Sequence, residues 1–314
     1  MSTDPSRREW LSTTVAVGAG LAAPRPATAK EKGDREPFRY CLNTSTIRGQ
    51  KRKLVEEIEL AARAGYQAIE PWLFEIEQHV KAGGNLKDLG KRLRDRGLEM
   101  PSAIGFAEWI VDDKDRRKKA MEQLKQEMDW LSQLGGLRIA APPAGATNQA
   151  DLSLSRVAER YRALLELGDR MGVVPQVELW GFSKCLSRLG EVAFVALETR
   201  HPKACILPDV FHLYKGGSGF AGLHLLSGAA VHVLHVNDYP ADPPQAIVTD
   251  AHRLYPGDGV APYKEILRNL RDGGFRGFLS LELFNRDYWM QDALQVARAG
   301  LDKMRAVVKN ASAG

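Results

Sequence analysis

The stretch Ile206-Leu-Pro-Asp-Val-Phe-His-Leu-Tyr-Lys215 is a short apolar run that ends in an acid, Asp209, with a histidine, His212, three residues on. Three further runs end alike: Val173-Val-Pro-Gln-Val-Glu178, Ala230-Val-His-Val-Leu-His235 and Phe278-Leu-Ser-Leu-Glu282. Short apolar runs of this kind read as buried strands. A lone acid after a strand is most often a turn or helix-cap residue. Carboxylates and an imidazole at four consecutive strand ends point instead to one shared site.

Worked outward from this stretch, the chain alternates strand and helix eight times. Strands are expected over residues 39–43, 66–70, 98–106, 137–141, 173–179, 204–209, 231–237 and 277–284. Helices are expected over 51–64, 86–96, 115–134, 153–171, 189–199, 219–227, 263–272 and 290–308. The first helix has Leu54, Ile58, Ala61 and Ala62 at helical spacing and stops at Gly65. No linker or composition break interrupts the series, so the fold class is α/β, a single (β/α)8 TIM barrel over residues 30–314. A doubly wound open sheet is the alternative, but no strand is followed by the Gly-rich phosphate fingerprint common in such folds. In a barrel, the functional residues sit at the C-terminal ends of the strands.

Side-chain alternation along each strand selects the inward residues. Leu279, Leu281 and Leu283 face the helices, which turns Phe278, Ser280 and Glu282 inward; Gln176 and Glu178 turn inward likewise. Val231, Val233 and His235 share a face, with His232 on the other. Glu178, Asp209, His235 and Glu282 therefore converge on the barrel mouth. Three clustered carboxylates repel one another, and a divalent cation is the simplest group that stabilises them. Oxygen and imidazole donors without thiolate suit Mn, Co, Zn or Mg, and an open site of that kind polarises a carbonyl or hydroxyl.

Composition frames this reading. The 314 residues are enough for a large core, and 44% hydrophobic with 26% charged residues is the balance of a soluble globular protein. The net charge of +5 is spread among acids, as at Arg63, Lys87, Lys91, Arg116 and Lys118, and is not gathered on one face as nucleic-acid binding requires. At the N-terminus, Arg7-Arg8, a weakly apolar run from Val15 to Ala23 and Ala27-Thr28-Ala29 have the form of a twin-arginine signal peptide over residues 1–29. An exported, periplasmic protein without a stable membrane anchor is expected. Cys41, Cys185 and Cys205 lack CxxC spacing, and neither a structural disulfide nor a thiolate ligand is expected.

From about residue 38 to 308 the chain resembles the xylose isomerase-like superfamily of sugar isomerases and epimerases. The resemblance rests on Glu178 in Val-Glu-Leu-Trp, Asp209 in Pro-Asp-Val-Phe-His, His235 in Leu-His-Val-Asn-Asp and Glu282 in Ser-Leu-Glu-Leu-Phe, in that order. The Asp209-x-x-His212 spacing and the turn Tyr255-Pro-Gly-Asp-Gly259 are similar too. It implies that Glu178 and Glu282 are catalytic as well as metal-binding, one removing a proton next to a carbonyl and the other returning it, with His212 bonding a substrate oxygen. Epimerases of free ketoses in this superfamily often carry an arginine soon after the histidine ligand; Val236-Asn-Asp-Tyr-Pro240 has none.

Other candidates for the substrate are Glu70, Trp72, Trp109 and Trp180, at or just past strand ends, where aromatic faces stack on sugars. Arg253 and Lys184 are loop cations able to bind a substrate oxygen. The run Gly216-Gly217-Ser218-Gly219 reads as an anion cradle or as a flexible lid. The expected activity is a metal-dependent sugar isomerase or epimerase acting through an enediolate. The alternative is a lyase or dehydratase that eliminates a β leaving group from a keto-sugar or 3-keto-glycoside at the same site. The expected partner is a small sugar, with no nucleic acid, and a homo-oligomer is open.

Overall fold

The strands form where the apolar runs place them: Arg39–Asn43 (β1), Ala68–Glu70 (β2), Arg138–Ala141 (β3), Val174–Glu178 (β4), Ile206–Leu207 (β5), Val233–Val236 (β6) and Phe278–Leu281 (β7). These belong to a computed structural model that describes residues 38–312; the leader expected over residues 1–29 lies outside the described residues. All pairings are parallel, in the orders β2-β1-β7-β6 and β3-β4-β5.

Two seams close these sheets into one barrel. At the first, residues 98–104 lie between β2 and β3. Ile69 N–H donates to the Glu99 carbonyl at 3.0 Å, and Ala103 bonds both Arg138 O (3.1 Å) and Ala140 N (2.9 Å). The expected third strand is thus present in position but reduced to isolated bridges, Ala68 with Glu99 and Trp72 with Ile104. Pro101 has no N–H to give to a ladder. At the second seam Ile206 N–H donates to Ala230 O at 2.8 Å, and His235 N–H to Pro208 O at 3.0 Å. Pro208 ends β5 after two residues.

The helices are Leu54–Ala64 (α1), Leu73–Lys81 (α2), Leu86–Asp95 (α3), Lys114–Leu134 (α4), Leu154–Met171 (α5), Leu189–Glu198 (α6), Val210–Lys215 (α7), Tyr263–Asp272 (α8), Arg286–Trp289 (α9) and Ala293–Ser312 (α10). The helix expected over 219–227 is only a 3-10 turn, Ala221–Leu225. The helical turn after β5 is α7 instead, started by the Asp209 side chain, which accepts His212 N–H at 2.9 Å. Among the described residues no helix is long and apolar enough to cross a membrane. The three cysteines are free and buried.

The main core lies between strands and helices and includes Ile58, Leu279, Leu281, Leu283 and Leu301, each at most 1% exposed. A side chain of that size contributes about 1.5–3 kcal/mol when fully buried. Inside the barrel is a second, smaller apolar cluster: Cys41, Ala68, Ile104, Ala140, Leu207, Val233 and Phe278. Two residues further along β1, β2, β6 and β7, and just past β5, the inward position turns polar: Asn43, Glu70, His235, Ser280 and Asp209, all fully buried. The site is thus the polar upper layer of the barrel interior, seated on an apolar floor.

The glycine run after α7 is neither cradle nor lid. Gly216 N–H donates to His212 O at 2.9 Å, Gly217 N–H to Tyr214 O at 2.9 Å and Ser218 N–H to Leu213 O at 3.0 Å, so the donors an anion needs close the end of α7. A methyl group on Gly216 would lie 1.9 Å from the Ser187 carbonyl oxygen. Gly216→Ala is expected to destabilise the fold by about 1–3 kcal/mol, the usual cost of overpacking, seen as a lower melting temperature.

On α4, Glu127 is 6% exposed and its carboxyl is pushed up to about 7 from 4.5, by burial above all and by Glu77, against a hydrogen bond from Gln123. A raised carboxyl binds its proton more tightly in the native state, so this contribution is full below about 4.5 and is lost as pH rises through about 7. Glu127→Gln removes the ionisation. It is expected to melt higher than the parent at pH 8, by up to ~3 kcal/mol, with the difference vanishing near pH 4.5. Melting curves at both pH values check this.

Candidate metal centre

His235 is the hub of the polar layer. Its Nε2 lies 3.0 Å from Glu70 Oε2, an oxygen that also accepts from Ser280 Oγ (2.6 Å) and Asn43 Nδ2 (2.9 Å). An acceptor on that side fixes Nε2 as the protonated nitrogen and turns Nδ1 the other way. Nδ1 has no hydrogen-bond partner. It faces Glu282 Oε2 at 3.3 Å, Glu178 Oε1 at 3.7 Å and Asp209 Oδ2 at 3.7 Å.

These separations fit metal ligation better than hydrogen bonding. Donors roughly 2.0–2.2 Å from a common centre lie about 2.8–3.6 Å from one another in octahedral or tetrahedral arrangements. Asp209, His235 and Glu282 each offer a ligand atom within 4.8 Å of the others. Glu178 flanks them, its Oε2 buried and without a partner. An orphaned imidazole nitrogen and an orphaned carboxylate oxygen, both buried, are costly unless a cation or a substrate takes them up. The donor set suits a divalent ion of the hard or borderline kind.

Asp209 combines the two roles open to it in the sequence. Oδ1 caps α7 through His212 N–H. Oδ2 is 2.7 Å from Arg253 Nη1 and 3.2 Å from Asn237 Nδ2. Arg253, 1% exposed, also reaches Glu282 Oε2 at 2.9 Å and Asp250 Oδ1 at 2.6 Å. No arginine follows His235 directly, yet the loop between β6 and α8 brings a guanidinium to this layer. It is there committed to three carboxylates.

The electrostatics follow from burial and these pairs. Burial works to raise the Asp209 carboxyl, but Arg253, His212 and His235 hold it well below the usual range. Glu178 lacks such a partner: burial, then Glu282, Asp209 and Glu70, push it well above, with His235 opposing. Burial disfavours a charged His235, but without a cation Glu282 and Glu70 outweigh it and favour a proton on Nδ1 as well, a proton that a bound divalent ion would replace. Burial first, and then Arg253, keep His212 below its usual range against the pull of Asp209. Arg253 Nη2 lies 3.2 Å from His212 Nε2, and since guanidinium only donates, Nε2 accepts. The His212 proton is then on Nδ1, which is buried and has no partner and so is a free donor.

Around this centre the rings form a closed collar. Trp72 meets Phe106 (4.9 Å between centroids), Phe106 meets Trp180 (5.9 Å), Trp180 stacks on Phe182 (5.4 Å) and Phe182 meets His212 (5.7 Å). Arg253 joins His212 to Phe284 (5.0 Å), and Phe284 returns to Trp72 (5.9 Å). Trp72 and Trp180 are both members of this collar. Glu70 is not: it is fully buried beneath His235 and orients it. Trp109 is packed in the wall, 2% exposed, its indole N–H spent on Pro142 O at 2.8 Å. Lys184 is exposed on the loop after β4 and is not gathered with the centre.

Sequence reasoning missed Phe106, Phe182 and Phe284, although each follows a strand end as the tryptophans do. It missed Asn43, which links Glu70 to Glu282 Oε1 (3.3 Å) and takes the Trp72 indole N–H at 3.0 Å. It also missed Arg48, whose guanidinium lies 3.5 Å over the Trp72 ring.

A family model described as Xylose isomerase-like TIM barrel matches residues 58–307. Inosose isomerase of Bacillus velezensis is 23% identical over 275 residues, covering 86% of this chain and 97% of its own length. 3-Dehydroshikimate dehydratase of Pseudomonas putida is 23% identical over 250 residues, which are 79% of this chain and 39% of that protein. The crystal structure of the IolI protein with a bound zinc atom has the same fold, with a TM-score of 0.80 at 20% identity over 88% of this chain and all of that one. With the closed parallel barrel and a family match over most of its length, the chain belongs to the xylose isomerase-like TIM barrel family.

Proposed function

We propose that the protein is a divalent-metal-dependent isomerase or epimerase of a small sugar or polyol, working by proton transfer at a carbon next to a carbonyl. The observation that carries this is the pair Glu178 and Glu282, two carboxylates from different strands that both face the partnerless His235 Nδ1. Glu178, Asp209, His235 and Glu282 would hold the ion, which would polarise the substrate carbonyl and stabilise the negative charge that develops on its oxygen.

The residues supply the rest. Glu282, steadied by Arg253 and Asn43, takes the proton from carbon, and the C–H electron pair becomes the C=C bond of an enediol(ate). Glu178, on the strand end facing the same imidazole nitrogen, returns a proton to the neighbouring carbon in an isomerisation or to the opposite face in an epimerisation. His212 Nδ1–H bonds a substrate oxygen, and the collar excludes water. The dehydratase among the relatives favours a second reading that shares the first step: a leaving group β to the carbonyl then departs with the electron pair.

Metal analysis and proton NMR in D₂O test this. One Mn, Co or Zn retained per chain, and deuterium entering an inosose, a ketose or a 3-keto-glycoside at the carbon next to the carbonyl, support the reading. An unsaturated or cleaved product selects elimination. No metal retained and no exchange with any metal added would sink both.

A further inference from the structure

Phe74, Phe106 and Phe182 are 39%, 39% and 50% exposed, Phe74 in the first turn of α2 and the other two on loops that follow strand ends. A fully buried phenylalanine gains about 1.5–3 kcal/mol relative to an exposed one, so a ligand that covers these rings binds through them. Phe106 has two sides. One belongs to the collar, against Trp72 and Trp180. The other walls a cleft of about 320 Å³ with Phe74, Ile104 and Trp130, a volume at the lower end for ligand pockets.

Glu127 also lines that cleft. Its Oε1 accepts from Gln123 Nε2 at 2.8 Å, but Oε2 is buried and has no partner. A carboxyl group more than nine-tenths buried with a free oxygen is expensive to keep, as its upward displacement to about 7 reflects. A hydroxyl reaching it from the cleft would repay that cost. The cations nearby do not form a phosphate cradle. Arg253 is bound to three acids, and Lys215 Nζ donates to the carbonyls of Gln245 and Ala246, both at 2.9 Å. Arg48 sits over Trp72 with Nε and Nη2 unpartnered, a single guanidinium able to donate to a sugar oxygen.

We propose that this cleft is an aglycone subsite, and that the substrate is a sugar carrying a flat aromatic group with a hydroxyl at its far edge. The sugar lies within the collar, the aromatic ring packs on Phe106 in the cleft, and the hydroxyl donates to Glu127 Oε2. This deepens the sugar reading above and rests on it.

The test is calorimetric binding of 4-hydroxyphenyl, 4-methoxyphenyl and methyl β-D-glucopyranosides and of glucose 6-phosphate to the metal-loaded protein. The hydroxyphenyl glycoside is expected to bind at least tenfold more tightly than the methyl glycoside or the phosphate. Phe106→Ala, at an exposed position, is expected to bring the aryl and methyl glycosides within about twofold. Glu127→Leu is expected to remove the advantage of hydroxyphenyl over methoxyphenyl, with Glu127→Gln retaining part of it. Equal binding of aryl and methyl glycosides to the parent, tighter binding of the phosphate, or a preference that survives Phe106→Ala would overturn the subsite. The two readings fail separately. An aryl preference without deuterium exchange in any sugar retains the subsite and removes the proton-transfer chemistry, whereas exchange in a free ketose without an aryl preference does the reverse.

Discussion

Glu282→Gln is expected to lower solvent-deuterium exchange and turnover by roughly 10²–10⁴-fold, the range for loss of a positioned proton-transfer group, with little change in melting temperature. Glutamine fills nearly the same volume and keeps one oxygen to accept from Arg253 Nη1, giving up only the longer bond from Asn43 Nδ2 to the other oxygen. It removes one negative charge from a layer that also holds Glu70, Glu178 and Asp209, so its effect on folding without metal is small. Glu178→Gln is expected to lose turnover to a similar extent. The two differ in partial reactions. If Glu282 takes the proton, the Glu178 variant still washes substrate deuterium into water while failing to form product, and the Glu282 variant does neither. Both variants retaining turnover within tenfold, by NMR in D₂O, would remove the two-carboxylate mechanism.

The legible parts of this protein are those governed by periodicity. Alternation along one strand puts Phe278, Ser280 and Glu282 inside, and the structure has Phe278 on the barrel floor with Ser280 above it bonding Glu70. The same period predicts an inward Glu70 but not its partner. Whether a buried acid meets a substrate or orients a histidine depends on a strand that lies far away in sequence. Pro101, visible in the sequence, thins the third strand to two bridges. The run Val210–Lys215 is apolar enough for strand or helix, and the Asp209 cap decides for the helix. The collar has no local signature because its contacts join loops after different strands. The loop over residues 238–262 has no period at all. It is shaped by Asp238, whose carboxylate accepts the N–H groups of Tyr239, Gly257 and Ala261 at 2.8–2.9 Å, and that shape delivers Arg253.

Arg253→Met is expected to have the largest effect on folding. The methionine fills most of the space beside Phe211 and Phe284 but leaves Asp209, Asp250 and Glu282 without their shared counter-charge. Asp209 and Glu282 are at most 4% exposed, so water cannot replace the guanidinium. Removing one partner from a buried ion pair costs about 3–5 kcal/mol. At roughly 2–4 °C per kcal/mol for a domain of this class, a fall of about 6–20 °C in the metal-free melting temperature follows. A divalent ion bound by Asp209 and Glu282 supplies positive charge to the same oxygens. Saturating Mn²⁺ or Zn²⁺ is therefore expected to raise the melting temperature of the variant more than that of the parent, while turnover stays depressed because His212 Nε2 has lost the donor that sets its tautomer. Comparing the metal-induced shift in the two proteins separates the possibilities. A larger shift in the variant means that guanidinium and ion stabilise one cluster of acids, and equal shifts mean that the ion binds elsewhere and the four strand-end residues are not its ligands.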